Sequence, residues 1–186
     1  GYVIEDMLDY SDVTVVDEGL WDSGPMKWKL TSDGVLTIYG GKTFQTKTTY
    51  IWMDYADQIR RIVIADGVRN VPNNAFRNLP NLTSVYLGNA VEKIGVEAFS
   101  NCPKLYEITI PATVDEIQRF AFYGCESLTT VTFEEGSVLN TIRKYAFSRT
   151  GITKLSTPTS LTKIEESAFE DCKSLQEVYL AAGLTD

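Results

Sequence analysis

The sequence predicts a mainly β solenoid, with a parallel strand sheet on one face, turns or short helices on the convex side, and a β-hairpin cap at the N-terminal end. Three observations predict it. The pair Ala-Phe recurs at Ala75-Phe76, Ala98-Phe99, Ala121-Phe122, Ala146-Phe147 and Ala168-Phe169, at spacings of 23, 23, 25 and 22 residues. A strand pattern, apolar-x-x-apolar-x-apolar, precedes each pair and returns once after the last. Ahead of the repeats, two alternating apolar runs flank an Asp-Gly turn. A unit this short cannot close its own core, so each must stack on its neighbours. The chain divides into an acidic segment, 1–24, a capping module, 25–58, and about five repeats plus a partial one, 59–186.

Taken in order, residues 1–24 mix acids with short apolar runs such as Val13-Thr14-Val15-Val16 and carry no repeat. They read as a partly ordered strand or irregular segment over the first turn, or as a linker from a longer precursor. The apolar Val15, Val16, Leu20 and Trp21 favour coverage, since leaving them in water is costly. Next, Trp28-Lys29-Leu30 and Val35 to Tyr39 flank Thr31-Ser32-Asp33-Gly34, which predicts a hairpin whose glycine supplies the positive φ. Trp52 and Tyr55 then stand just before the repeats, where large aromatics form a lid over the open end of a stack.

The repeat strands are expected at Ile59 to Ile64, Leu82 to Leu87, Leu105 to Ile110, Leu128 to Phe133, Ile152 to Thr157 and Leu175 to Leu180. The last two apolar positions of each share one strand face and are expected to point into the core. Further apolar positions follow at Val68, Val91, Val114 and Leu161, then Val71, Ile94, Ile117 and Ile164. The fourth repeat has two extra residues around Glu134-Glu135-Gly136-Ser137 before Leu139 and Ile142 resume the pattern. The phenylalanines, one per repeat in register, predict a continuous ladder of rings.

All three cysteines, Cys102, Cys125 and Cys172, occupy one repeat position, shared with Leu79 and Thr150. Leucine and threonine in the same slot point to buried free thiols serving as small hydrophobes rather than to a metal or redox centre. Histidine is absent, which removes the commonest general base and zinc ligand. The carboxylate pairs Glu134-Glu135 and Glu165-Glu166 read as solvated turns, and Gly40-Gly41 lacks the spacing of a phosphate loop. No catalytic constellation, cofactor site or metal site is expected, and the chain is read as a non-enzyme.

The net charge of −8 is concentrated at the start: seven acids precede the first base, Lys27, leaving 18 acids against 17 bases afterwards. An almost neutral repeat body excludes the basic stripe that nucleic acid demands. No run of eighteen apolar residues suggests a membrane span. The opening at Gly1, without a methionine or leader, reads as a processed or trimmed chain. At the other end Leu184 stands four residues after Leu180, so a further turn begins there; without a visible cap, the expectation is a chain cut from a longer protein, an end closed by packing specific to this turn, or an end-to-end dimer.

The repeat L-x-x-[I/V]-x-[I/L]-P-x-x-[V/L]-x-x-I-x-x-x-A-F-x-x-C-x-x-L, best seen at Leu105 to Cys125, resembles the BspA-like, or treponemal-type, leucine-rich repeat. The resemblance covers about Ile59 to Leu184, and the hairpin with Trp52 and Tyr55 looks like the N-terminal module often joined to such repeats. Its departures are Leu79 and Thr150 in the cysteine slot, the single Pro111 at a strand exit, and the insertion near Gly136. It implies secreted or surface-attached proteins, mostly of bacteria and some protists, associated with adhesion to host or microbial proteins. No catalytic residue is carried over.

In such a stack the outward strand residues make columns along the exposed sheet face. They run Arg60, Thr83, Tyr106, Thr129, Thr153 and Gln176; then Arg61, Ser84, Glu107, Thr130, Lys154 and Glu177; then Val63, Tyr86, Thr109, Thr132, Ser156 and Tyr179. Tyrosines among short hydroxyl side chains suit recognition, although Thr and Tyr are also simply good strand residues. The candidate binding residues are Arg61, Tyr86, Tyr106, Glu107, Thr109, Thr130, Thr132, Lys154 and Tyr179. The function expected is a cell-surface or secreted module binding a protein or glycan; the alternative is a structural spacer that projects another domain or assembles end to end.

Overall fold

The computed structural model describes residues 12–21 and 24–185, so most of the acidic segment, Glu5, Asp6, Asp9 and Asp22 included, lies outside the described residues. Three strands open the fold: β1 (Val15–Leu20), β2 (Lys27–Thr31) and β3 (Val35–Tyr39). They form an antiparallel meander, and β3 then pairs in parallel with β4 (Arg61–Ile64), which pairs with β6 (Ser84–Leu87). The tight turn between β2 and β3 requires glycine. Gly34 sits at φ +82, and a Cβ there would stand 2.6 Å from the Gln58 carbonyl oxygen.

The sheet continues through β8 (Glu107–Ile110), β10 (Thr130–Phe133), β12 (Lys154–Ser156) and β14 (Glu177–Tyr179). β8 pairs with β10 and β12 with β14, all parallel, and the pairs lie beside β6 and each other. These strands begin two residues later than the sequence pattern suggests. The leading apolar residue, Ile59, Leu82, Leu105, Leu128 or Ile152, is fully buried in the turn that precedes each of the first five.

A second ladder, absent from the sequence reading, runs along the opposite side. The two-residue strands β5 (Asn70–Val71), β7 (Lys93–Ile94), β9 (Glu116–Ile117), β11 (Thr141–Ile142) and β13 (Lys163–Ile164) pair in parallel, one per repeat. The core lies between the two ladders. The two-residue insertion in the fourth repeat is absorbed as a turn in which Ser137 N–H donates to the Glu134 carbonyl at 3.2 Å, and Ile142 regains register opposite Ile117.

The phenylalanine ladder is present. Phe76, Phe99, Phe122, Phe147 and Phe169 stack with centroid spacings of 5.5, 5.5, 5.1 and 5.4 Å and interplanar angles of 20° or less. Its N-terminal end is closed by Trp52, stacked on Phe76 at 5.5 Å from a short 3₁₀ helix, Ile51–Tyr55. Trp21, Phe44 and Tyr50 pack round Trp52, and the Trp52 indole N–H donates to the Ala75 carbonyl at 2.8 Å. Tyr55 instead reaches back to β1, donating its hydroxyl to Asp17 at 2.7 Å.

Each repeat turns sharply on either side of its Ala-Phe pair. The residue before the pair is left-handed in every copy, Asn74, Glu97, Phe120, Tyr145 and Ser167 lying between φ 54 and 60. A second left-handed position four residues on holds Asn78, Asn101, Gly124, Arg149 and Asp171. Bulky side chains are disfavoured there by about 1–2 kcal/mol, and Phe120 and Tyr145 offset this in part by stacking on each other at 4.9 Å.

The cysteines do more than fill space. Cys102, Cys125 and Cys172 lie 3.2, 3.1 and 3.1 Å from the carbonyl oxygens of Phe76, Phe99 and Phe147, so each thiol donates to the turn before it. All three are free, and burial pushes the Cys125 thiol well up.

Two expectations about burial need correction. Val15, Val16 and Leu20 are 50%, 42% and 58% exposed, and of that group only Trp21 is buried. Register explains it: Asp17 and Gly19 oppose Leu30 and Trp28 and so take the core-facing positions, turning Leu20 outward. Likewise, the strand positions meant for the core are buried or half-buried through β12, but Val178 and Leu180 are 48% and 57% exposed, because among the described residues no further turn packs on β14.

Candidate functional site

The outward face of the long sheet carries the candidate residues. Strand alternation and register put its columns where the sequence pattern expects them. Arg61 lies opposite Ser84 and Val63 opposite Tyr86; Glu107 and Thr109 lie opposite Thr130 and Thr132; Lys154 and Ser156 lie opposite Glu177 and Tyr179. All nine candidate residues, Arg61, Tyr86, Tyr106, Glu107, Thr109, Thr130, Thr132, Lys154 and Tyr179, are exposed.

Two of the three tyrosines are held in place. Tyr86 donates its hydroxyl to Asp66 at 3.2 Å, which raises the phenol's pKa and keeps it a donor, and Asp66 also accepts the Asn89 N–H at 3.0 Å. Tyr179 donates to Glu177 at 3.0 Å; Lys154 lies 3.4 Å from the same carboxylate and 4.8 Å from the Tyr179 ring centroid. The Tyr179 hydrogen bond, followed by Lys154, holds the Glu177 carboxyl below the usual carboxylate range. Tyr106 is 48% exposed and its hydroxyl is tied to nothing among the described residues. Arg61 pairs with Asp33 at 3.4 Å across the start of the face.

Two shallow depressions mark the face. One, of about 420 Å³, lies between Arg61, Val63, Ser84, Tyr86, Thr109 and Glu134. The other, of about 520 Å³, lies over β10 and β12 between Thr129, Thr130, Thr132, Phe133, Thr153 and Ser156.

Register carries the face beyond the first repeat and on through the cap. Val35 and Thr37 lie opposite Arg61 and Val63, Lys29 and Lys27 opposite Thr37 and Tyr39, and Glu18 and Leu20 opposite those lysines. The alternation Lys27-Trp28-Lys29-Leu30, with lysines out and Trp28 and Leu30 buried, was the available signal.

Glu134, Glu135 and Glu166 are exposed, as expected of solvated turns, and three of the four carboxylates also find local partners. Glu165 pairs with Arg143 at 2.7 Å and accepts the Lys144 N–H, Glu166 pairs with Lys144, and Glu134 accepts the Ala112 N–H at 3.0 Å. Arg143 holds the Glu165 carboxyl below its ordinary value. Among the described residues no cluster of three or more His, Cys, Asp or Glu side chains could hold a metal ion, and no helix is long and apolar enough to cross a membrane.

Parallel strands one turn apart, a buried ladder of phenylalanines and a variable outer face define a leucine-rich-repeat solenoid. The chain belongs to the BspA type leucine rich repeat family, whose repeat matches residues 48–176 in six copies. Among solved structures it is similar to a leucine rich repeat protein from T. pallidum, at 27% identity and a TM-score of 0.63, over 87% of this chain and 72% of that one. It is also similar to a leucine rich cell surface protein from Faecalibacterium prausnitzii, at 25% identity and a TM-score of 0.52, over 86% of this chain and 54% of that one. A pneumococcal vaccine antigen, PcpA, shares the fold at 20% identity and a TM-score of 0.62, over 91% of this chain and 50% of that one. The chain thus spans about half the length of the latter two. No curated protein matches the chain.

Proposed function

We propose that this chain is a non-enzymatic recognition module, displayed outside the cell or at its surface, that binds a protein or glycan through the exposed sheet face. The observation that carries the reading is the division of labour within each turn. Ile108, Ile110, Val114, Ile117, Ala121, Phe122 and Cys125 are buried in the framework, while Tyr106, Glu107 and Thr109 of the same turn are exposed and free to differ. Tyr86 and Tyr179, tethered by Asp66 and Glu177, are pre-positioned aromatic anchors, the residue type enriched at binding hot spots. A cell surface protein and a vaccine antigen among the structural neighbours support the location.

The second reading is a spacer that projects another domain or assembles end to end. Binding to arrays of matrix proteins and glycans separates the two. Recognition gives a saturable hit that is lost when Tyr86, Tyr106 and Tyr179 are changed together to alanine; a pure spacer gives none.

A further inference from the structure

We infer that the depression over β10 and β12 is a subsite for a neutral saccharide; this rests on the reading of the sheet face as a recognition surface and names the ligand class. Its walls are hydroxyls: Thr129, Thr130, Thr132, Thr153 and Ser156 surround it, and Phe133 lies half-buried at its edge. Of these hydroxyls only Thr129 is occupied, donating to the Tyr106 carbonyl at 3.3 Å. Those of Thr130, Thr132, Thr153 and Ser156 have no partner within the described residues, nor has that of Thr109 on the adjoining strand. Each can both donate and accept, as the hydroxyls of a sugar do, and those lining the depression stand on β10 and β12 or in the turns just before them, two strands that lie side by side without a shared ladder.

Charge selects a neutral ligand. Lys154 is the one charged side chain lining the depression, and Glu177 already neutralises it at 3.4 Å. A peptide partner is less well served. β8 pairs with β10 and β12 with β14 in parallel ladders, and β10 and β12, though they share no ladder, lie side by side with the Thr153 N–H donating to the Thr129 carbonyl at 3.4 Å, which leaves no gap for an added strand. The depression is also open and shallow, whereas protein hot spots fill enclosed, desolvated pockets. A ring whose edge carries hydroxyls and whose faces are C–H suits these unpartnered hydroxyls, with Phe133 and the neighbouring Tyr106 and Tyr179 supplying apolar surface.

The test is titration calorimetry of the intact protein with neutral hexasaccharides of glucose, galactose, mannose and N-acetylglucosamine, with heparin and polygalacturonate as acidic probes. At least one neutral hexasaccharide is expected to bind saturably. The double change Thr130→Val and Thr132→Val keeps shape and β propensity, and it should weaken that binding by at least about tenfold, the factor two lost hydrogen bonds are worth. Lys154→Gln should leave it within about threefold, the range of an exposed ion pair already neutralised. Silence across the neutral panel, preference for the acidic probes, or indifference to the two valines overturns the inference. A protein ligand that the tyrosine variant loses, found alongside a silent neutral panel, removes the saccharide subsite and leaves the recognition reading standing.

Discussion

Phe122→Ala probes the ladder that holds the turns together. Phe122 is fully buried, with Phe99 stacked at 5.5 Å and 10° on one side and Phe147 at 5.1 Å and 6° on the other. Truncating a buried phenylalanine costs about 3–5 kcal/mol, including the cavity left behind. The cavity cannot collapse easily, because the Phe99 and Phe122 N–H groups are each fixed at 2.8 Å to the next turn's Ala121 and Ala146 carbonyls. The loss should therefore be near 4 kcal/mol, against a total stability of roughly 5–15 kcal/mol. Phe169→Ala, half-buried with one stacked neighbour at 5.4 Å, should cost only about 1–2 kcal/mol. Because solenoid turns couple only to their neighbours, the central change should also split the transition. The tryptophans Trp21, Trp28 and Trp52 are all buried in the N-terminal cap, so their fluorescence reports that end alone, while circular dichroism reports the whole sheet. In urea the wild type should show coincident transitions by both probes, and Phe122→Ala should unfold by circular dichroism first. A loss under about 1 kcal/mol, or one no larger than that of Phe169→Ala, would refute the ladder as the main source of stability.

The turn geometry and the thiols yield further expectations. Ser167 sits at φ 59, where the equivalent Asn74 sits at φ 60, so Ser167→Asn should stabilise by some tenths of a kcal/mol, raising the melting temperature by about 1–2 °C; a lowered melting temperature would contradict the strain argument. The Cys125 thiol, pushed up by burial and then by its contact with Cys102, stays protonated in the folded chain at pH values where the unfolded chain ionises. Its contribution is thus full below the ordinary thiol value of about 8.5 and declines as pH rises beyond it. Cys125→Ala should cost about 1–2 kcal/mol at pH 7 and lose less on going to about pH 10. Equal pH dependence of the two proteins in urea melts would contradict this.

Most of this architecture is legible in the sequence because the signals are periodic. Ala121-Phe122 recurs with its neighbours at fixed offsets, and the same offsets fix which strand residues face outward. What escaped were features without a simple alphabet. The left-handed positions would be recognisable from Asn74, Asn78, Asn101 and Gly124, but Glu97, Phe120, Tyr145 and Arg149 hold the same conformation and conceal it. The two-residue strands such as Glu116–Ile117 are too short to alternate. In β1, the choice of Asp17 and Gly19 as core-facing depends on Trp28, which packs against Gly19 with its indole nitrogen 3.3 Å from where a Cβ would stand; apolarity alone selects Val15, Val16 and Leu20. The cysteine slot was legible as a column, but not the carbonyl each thiol meets. On the exposed face, the sequence yields the columns without the carboxylates of Asp66 and Glu177 that orient Tyr86 and Tyr179, since neither pairing is set by repeat spacing alone.

The central claim is that framework and recognition are separate sets of residues, and one paired measurement tests it most directly: the melting temperature and ligand affinity of the Tyr86→Ala, Tyr106→Ala, Tyr179→Ala protein beside the wild type, using the ligand that the arrays identify. All three rings are about half exposed, so the melting temperature should stay within about 4 °C, while affinity should fall by at least about a hundredfold, the sum of modest hot-spot losses. Retained affinity at unchanged stability would place recognition elsewhere on the molecule and contradict the account.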